Sequence, residues 1–277
     1  MALDTATYYD RLAWWTALAQ PFGYGGGRRT LTVHRALADP LAGGRPTATR
    51  VHDLLIESLP QLHAPRVLDA GCGLGGTMID LARRIGGTFT GLTVSAEQAA
   101  IGRAAVARAG LERRVDIQVG SYDDPPAGPF DLVVAIESLA HSADPAATVR
   151  AWAARLAPRG TIAIVDDMPD PDAGHSNDLA AFKSGWRLPV LATAAHLAAA
   201  LCGAGLAVVT DRDLSAYVRP RSLGKIRSLQ TLNRIVRACA PSEGFRAVLD
   251  SHHGGLALER LYRHGAMRYR LLIARRS

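Results

Sequence analysis

Apolar and polar positions change rhythm at Arg66. Before it, Tyr8, Leu12 and Trp15 recur at i, i+4 and i+7, which predicts a helix that packs as a cover. The glycine-rich run from Pro21 to Gly27 ends that pattern, because proline and glycine do not extend a helix without loss. Residues 47–59 then place Val51, Leu54, Leu55 and Ile56 at helical spacing, and Pro60 and Pro65 close the segment. From Arg66 onward, short apolar runs alternate with alanine-rich helical windows. That alternation is the mark of βαβ units in a parallel sheet.

The runs predict strands over 66–70, 88–92, 115–119, 130–136 and 161–165, with helices near 76–85, 95–109 and 145–156. The turn Ala157-Pro158-Arg159-Gly160 separates the last of these helices from its strand. A helix near 193–202 precedes a strand over 205–210, and 269–274 reads as the closing strand. Between these two, residues 219–265 form an insertion in which Leu223, Ile226, Leu232 and Ile235 predict one amphipathic helix. His252-His253-Gly254-Gly255 reads as a turn.

Composition narrows the class. A chain of 277 residues with 48% hydrophobic content buries a proper core. It contains no apolar stretch of about 18 residues, the length of a membrane span. Its opening, Met-Ala-Leu-Asp-Thr, lacks the order of a signal peptide, so a cytoplasmic protein is expected. Cys72, Cys202 and Cys239 are widely spaced and odd in number, which argues against a disulfide framework or a zinc site. The net charge of +7 is uneven: from Arg212 on there are 14 Lys and Arg against 4 Asp and Glu, a net of +10, leaving −3 for the rest. That asymmetry suits an anionic substrate, an acidic carrier protein, nucleic acid or a membrane surface, and equally plain solvated arginine faces.

The chemistry centres on Val67-Leu68-Asp69-Ala70-Gly71-Cys72-Gly73-Leu74-Gly75-Gly76, where a buried strand turns into a helix. Glycines there let backbone approach a ligand closely. Gly71, Gly73 and Gly76 satisfy the dinucleotide pattern, but a nicotinamide site also needs an acid about 20 residues on, at the end of the second strand. That place reads Gly91-Leu92-Thr93-Val94-Ser95. Asp69-x-Gly71-x-Gly73-x-Gly75 instead resembles motif I of the class I S-adenosylmethionine-dependent methyltransferases. Thr90-Gly91-Leu92-Thr93-Val94-Ser95-Ala96-Glu97-Gln98 and Ile136-Glu137-Ser138-Leu139-Ala140-His141 are similar to segments of one small-molecule branch. That branch holds natural-product sugar O-methyltransferases, tocopherol and sterol C-methyltransferases and cyclopropane synthases.

The resemblance implies an α/β fold: a Rossmann-like seven-stranded sheet, mostly parallel, with helices on both faces and helical lids at 168–192 and 219–265. Residues 1–60 form an N-terminal helical cover and 61–277 the cofactor-binding core. S-adenosylmethionine is the implied cofactor, held by Tyr24, Asp69, Gly71, Gly73, Thr93, Gln98, Ser121, Tyr122 and Ile136. The chain departs from the branch around Pro21-Phe22-Gly23-Tyr24-Gly25, and Ala140 stands where cyclopropane synthases carry a glutamate, which disfavours cyclopropanation.

Methyl transfer is an in-line displacement, so alignment and exclusion of water matter most. An oxygen nucleophile must also lose its proton. By resemblance, His141 is the general base and Asp166, ending the fifth strand, assists it. Asp166, Asp167 and His175 match no metal-ligand spacing, and no metal is expected. Tyr8, Trp15, Glu137 and Trp186 are the candidate acceptor contacts. The resulting expectation is O-methylation of a small natural-product hydroxyl, with C- or N-methylation as the alternative. A nucleic-acid methyltransferase is disfavoured because no base-handling motif follows the fourth strand; a non-catalytic cofactor-binding protein remains a further reading.

Overall fold

The computed structural model describes residues 31–40, 44–174, 176–240 and 242–276. The expectations at Tyr8, Trp15, Tyr24 and His175 lie outside them. Helix α1 (Arg50–Ser58) leads into strand β1 (Arg66–Ala70), followed by α2 (Gly76–Ile85), β2 (Thr88–Thr93), α3 (Ala96–Arg108), β3 (Val115–Val119) and β4 (Phe130–Ile136). Helix α4 (Pro145–Ala154), β5 (Leu156–Pro169), α5 (Asn177–Trp186), α6 (Ala194–Gly203) and β6 (Leu206–Asp213) come next. Two long helices, α7 (Leu223–Ala238) and α8 (Glu243–Arg263), precede β7 (Met267–Arg276).

The seven strands form one sheet in the order β3-β2-β1-β4-β5-β7-β6. Strands β1 to β5 pair in parallel, and β7 runs antiparallel between β5 and β6. The chain leaves β1 toward β2 on one side and returns to β4 on the other, so the glycine loop after β1 sits at the point where strand order reverses. Ligands bind there in open α/β sheets. The strand positions are apolar on both faces because each face is covered. Val67, Leu132, Val134, Ala163 and Val165 belong to one core layer, and Leu68, Val133, Ala135, Ile162 and Ile164 to the other. Trp152 on α4 is fully buried in the second layer, and its Nε1 donates to Tyr122 O at 2.8 Å.

Three expectations need correction. The turn at 157–160 is absorbed into β5 as an irregularity, with Arg159 at φ 64 and a register shift opposite 130–132. The insertion forms two helices, and the apolar stripe chosen for α7 is not its buried face. Ile226 is buried, whereas Leu223, Leu232 and Ile235 are 36%, 56% and 60% exposed. Ile226 and Ile235 are nine residues apart, which puts them on opposite sides of a helix with about 3.6 residues per turn. The buried stripe is Ile226, Gln230 and Asn233, and Asn233 Nδ2 donates to Leu249 O on α8.

The third correction concerns His252-His253-Gly254-Gly255, which lies inside α8 rather than in a turn. Gly254 is there for contact: a Cβ on it would lie 3.1 Å from Gly185 Cα and 3.1 Å from Trp186 Cδ1. Helices α5 and α8 thus cross backbone to backbone. Phe182, Leu188, Ala257, Leu258, Leu261 and Met267 pack around that crossing, with Trp186, Tyr262 and Ala140 alongside.

Candidate active site

The glycine loop is shaped by two close approaches. Gly71 sits at φ 102, and a Cβ there would fall 2.5 Å from Ser138 Cβ. Gly73 sits at φ 53, with Val33 Cγ2 3.1 Å from the place a Cβ would take. Neither conformation suits a side-chain-bearing residue. Beneath the loop, Asp69 is 4% exposed and burial pushes its carboxyl up to about 7. Its Oδ2 is buried and has no hydrogen-bond partner among the described residues. A buried acceptor left without a donor calls for one from a ligand. The ammonium and ribose hydroxyls of S-adenosylmethionine are donors of that kind, so the cradle fits the cofactor.

At the end of β2, Thr93 Oγ1 donates to Gln98 Oε1 at 2.8 Å and accepts from Ser95 N–H at 3.2 Å. Ser95, rather than Thr93 or Gln98, caps α3: its Oγ accepts from Gln98 N–H at 3.0 Å. Thr93 and Gln98 therefore stand as a preformed polar pair, both buried, with the Gln98 amide nitrogen still a donor. After β3, Ser121 is exposed and its hydroxyl donates to Asp123. Tyr122 is half-buried, and its hydroxyl donates to Ser138 O at 2.9 Å, tying this loop to the one after β4. Ile136 ends β4 and is 9% exposed.

The loop after β4 carries the densest group of ionisable side chains. Glu137 adopts φ 51, a left-handed conformation that is uncommon for a residue with a side chain and worth notice beside a site. Its Oε1 accepts from Arg35 N–H at 2.9 Å and from the Tyr269 hydroxyl at 2.8 Å. Asp167 receives the Arg35 guanidinium at 3.1 Å and the Tyr262 hydroxyl. Arg35 lies over the rings of Tyr262 and Tyr269, 4.7 and 5.5 Å from their centroids. Burial, only partly opposed by Arg35, lifts Glu137 to about 7; burial is also the largest single effect on Arg35, but Asp167, Tyr262, Glu137 and Tyr269 together outweigh it and hold the cation firmly charged.

Adjacent strand residues point to opposite faces. Asp167 therefore faces Arg35, and Asp166 faces the other way. Asp166 Oδ2 accepts from Ala140 N–H at 3.2 Å and Oδ1 from Asp167 N–H at 2.9 Å, in a small cleft lined by Leu139, Pro145, Met168 and Leu197. Burial, then Asp167 and Glu137, raise its carboxyl well above the usual range. His141 closes the short 3₁₀ turn Leu139–His141 beside it, and burial pushes its imidazole down to about 4. Among the predicted residues the structure thus gathers Asp69, Gly71, Gly73, Glu137, His141 and Asp166 at the carboxyl edge of the sheet. Trp186 ends α5, where its Nε1 is buried without a protein partner among the described residues.

Sequence reasoning missed Arg35, Tyr262 and Tyr269. Arg35 lies in a segment with no periodic pattern, and the tyrosines come from the far end of the chain. The basic charge from Arg212 on is in part structural: Arg221 pairs with Glu259, and Arg219 Nη1 donates to Ala216 O. No group of three or more metal-ligating side chains occurs among the described residues, and no helix among them is long and apolar enough to cross a membrane.

A model of the methyltransferase domain matches residues 33–211. Methyltransferase GfsG of Streptomyces halstedii is 37% identical over 130 residues, which is 46% of this chain and 46% of that protein. Ajmaline N-methyltransferase of Rauvolfia serpentina is 31% identical over 174 residues, 58% of this chain and 56% of the relative. The chain spans about half the length of these curated relatives. The crystal structure of the [4+2]-cyclase SpnF superposes with a TM-score of 0.77 at 24% identity, covering 98% of this chain and 94% of that one. This last likeness speaks for the fold alone. The family match takes in the glycine loop, Thr93, Gln98 and both carboxylate-bearing strand ends, and by it the chain belongs to the class I S-adenosylmethionine-dependent methyltransferases.

Proposed function

We propose that the chain methylates a hydroxyl of a small natural-product acceptor, with His141 as general base. The observation that carries this reading is the place of His141, in the 3₁₀ turn after β4 that Asp166 holds through the Ala140 N–H at 3.2 Å. Burial pushes its imidazole down to about 4, so it is unprotonated at neutral pH but a weaker acceptor than a free imidazole; positioned general bases contribute about 10²–10⁴ in rate when their pKa lies near the working pH. S-adenosylmethionine, when bound, supplies an electrophilic methyl carbon. Asp69, Gly71 and Gly73 hold its amino-acid portion, Thr93 and Gln98 its ribose, and Ser121, Tyr122 and Ile136 flank the rest. His141 takes the hydroxyl proton on a ring nitrogen. Asp166 fixes the turn that carries His141 through the Ala140 N–H.

On this reading the acceptor meets Glu137 and Trp186, with Tyr8 and Trp15, which lie outside the described residues, as further contacts from the N-terminal cover over residues 1–60, and Tyr24 on the cofactor side. Helical lids at 168–192 and 219–265 exclude water, and the protein works in the cytoplasm. A second reading, N-methylation, is favoured by the acid cluster: Glu137 and Asp167 share the Arg35 guanidinium while Asp166 turns to the opposite face, a surplus of carboxylates that suits a cationic amine. The test is an acceptor screen read by mass, a gain of one methyl group, with wild type and His141→Ala. Hydroxyl acceptors that lose at least about 10²-fold in turnover in the variant support the base. Near-full turnover of hydroxyl acceptors by the variant refutes it. Turnover of amines alone, insensitive to His141, moves the assignment to N-methylation.

A further inference from the structure

Residues 33–35 run across the site as a strap. Val33 lies on Gly73, and Arg35 binds Glu137 through its backbone and Asp167 through its guanidinium. Between these two contacts His34 turns inward and meets His52 of α1. The rings stand edge to face with centroids 5.0 Å apart, and Nε2 faces Nε2 at 3.0 Å. His52 Nδ1 lies 2.7 Å from Asp80 Oδ2 on α2, and His34 Nδ1 lies 3.2 Å from Arg35 O. His34 is 6% exposed and His52 is fully buried.

These contacts fix the number of protons. A carbonyl oxygen only accepts, so His34 Nδ1 must carry a hydrogen. A carboxylate only accepts, so His52 Nδ1 carries one too. The contact between the two Nε2 atoms needs a third. Three protons on four ring nitrogens make one imidazole neutral and the other an imidazolium. The Asp80 carboxylate faces His52 whereas a neutral carbonyl faces His34, so the cation is His52; burial and the neighbouring His52 accordingly push His34 down to about 3. Burial draws Asp80 upward, but its bond to His52 and the nearby Arg84 outweigh that and keep it ionised. The other groups around the pair are Thr77 Oγ1, 3.3 Å from His52 Nε2, and Asp53, which pairs with Arg84 at 2.8 Å.

We propose that His52 is a positioning residue for methyl transfer: as an imidazolium paired with Asp80 it donates to His34, and so holds residues 33–35 across the cofactor loop and the Glu137 and Asp167 carboxylates. The inference rests on the glycine cradle being the cofactor site. Remove the proton from His52 and one of the three contacts loses its donor, which frees the strap at its middle. Thr77 ties the same ring to the first turn of α2, directly after the glycine loop, so cofactor loop and strap share one anchor.

The test uses the full chain and two readouts. Nitrogen-15 NMR of labelled histidine at pH 7 should show both His52 nitrogens with imidazolium shifts and His34 protonated at Nδ1 alone. Calorimetry with S-adenosylhomocysteine should show Asp80→Asn and His52→Asn binding about tenfold more weakly than wild type, the scale of one charge-assisted hydrogen bond. A purely structural role would lower thermal stability and leave the affinity of the folded variants unchanged. A neutral His52 in folded wild type overturns the proposal whatever the variants do, as do variants that bind within twofold of wild type. Wild type that binds no S-adenosylhomocysteine overturns the cofactor reading, and the strap with it.

Discussion

Burial of the His141 imidazole has a measurable cost in acid. Its folded value of about 4 lies below the ordinary 6.5, so between these values the unfolded chain binds a proton that the folded chain refuses. Stability is therefore full above pH 6.5, declines as the pH falls, and levels off below 4. Linkage gives a loss of about 2 kcal/mol between pH 7.5 and pH 5, and about 3 kcal/mol when complete. His141→Gln removes the titration and keeps a polar side chain of similar size. Urea unfolding of wild type and variant at both pH values isolates the effect, because the shifts at His34, Asp69 and Glu137 occur in both proteins and cancel in the difference. The wild type should lose about 2 kcal/mol more than the variant on going to pH 5. A difference between the two proteins that stays constant within about 0.5 kcal/mol would refute the claim that His141 is held neutral by desolvation.

Three more outcomes follow from the geometry. Arg35→Met leaves Asp167 and Glu137 buried without their cation and should cost about 3–5 kcal/mol in chemical unfolding, with Arg35→Lys in between. Gly185→Ala brings a Cβ within 2.5 Å of Asp250 O, so α5 must shift from α8; a loss of about 1–3 kcal/mol is expected, larger than that of Gly254→Ala, whose nearest neighbours lie at 3.1 Å. Thr93→Val removes the bond that orients the Gln98 side chain and should weaken S-adenosylhomocysteine about tenfold by calorimetry with little change in unfolding midpoint.

The parallel core was legible because its strands are buried on both faces and read as apolar runs. Strands β1, β3 and β4 begin and end at the residues their apolar runs marked. Strand β5 was read too short because its C-terminal half carries Asp166 and Asp167, charges that a hydrophobic pattern excludes and that only the Arg35, Ala140 and Tyr262 contacts make tolerable. Glycines tell of backbone approach, but not what approaches: Gly71 and Gly73 marked a ligand loop, while Gly254 marked a helix crossing. The glycine loop was visible as local spacing, and the Thr93 and Gln98 pair through its resemblance to the small-molecule methyltransferase branch. Arg35 and the two tyrosines were not, since their meeting is made by the return of helix α8 and strand β7 more than 200 residues later.

That return bears on how the sheet is completed. Strand β7 follows every other described strand in sequence, yet it lies one place in from the sheet edge, where it bonds β5 along nine registered pairs and β6 on its other side. Until those residues arrive, β5 presents an open row of amides and carbonyls and β6 has no neighbour in the sheet. Such long-range closure is slow, and exposed edges invite pairing with other chains. Strand β7 is thus the piece that joins β6 to the parallel strands, filling the gap between them from within the sheet.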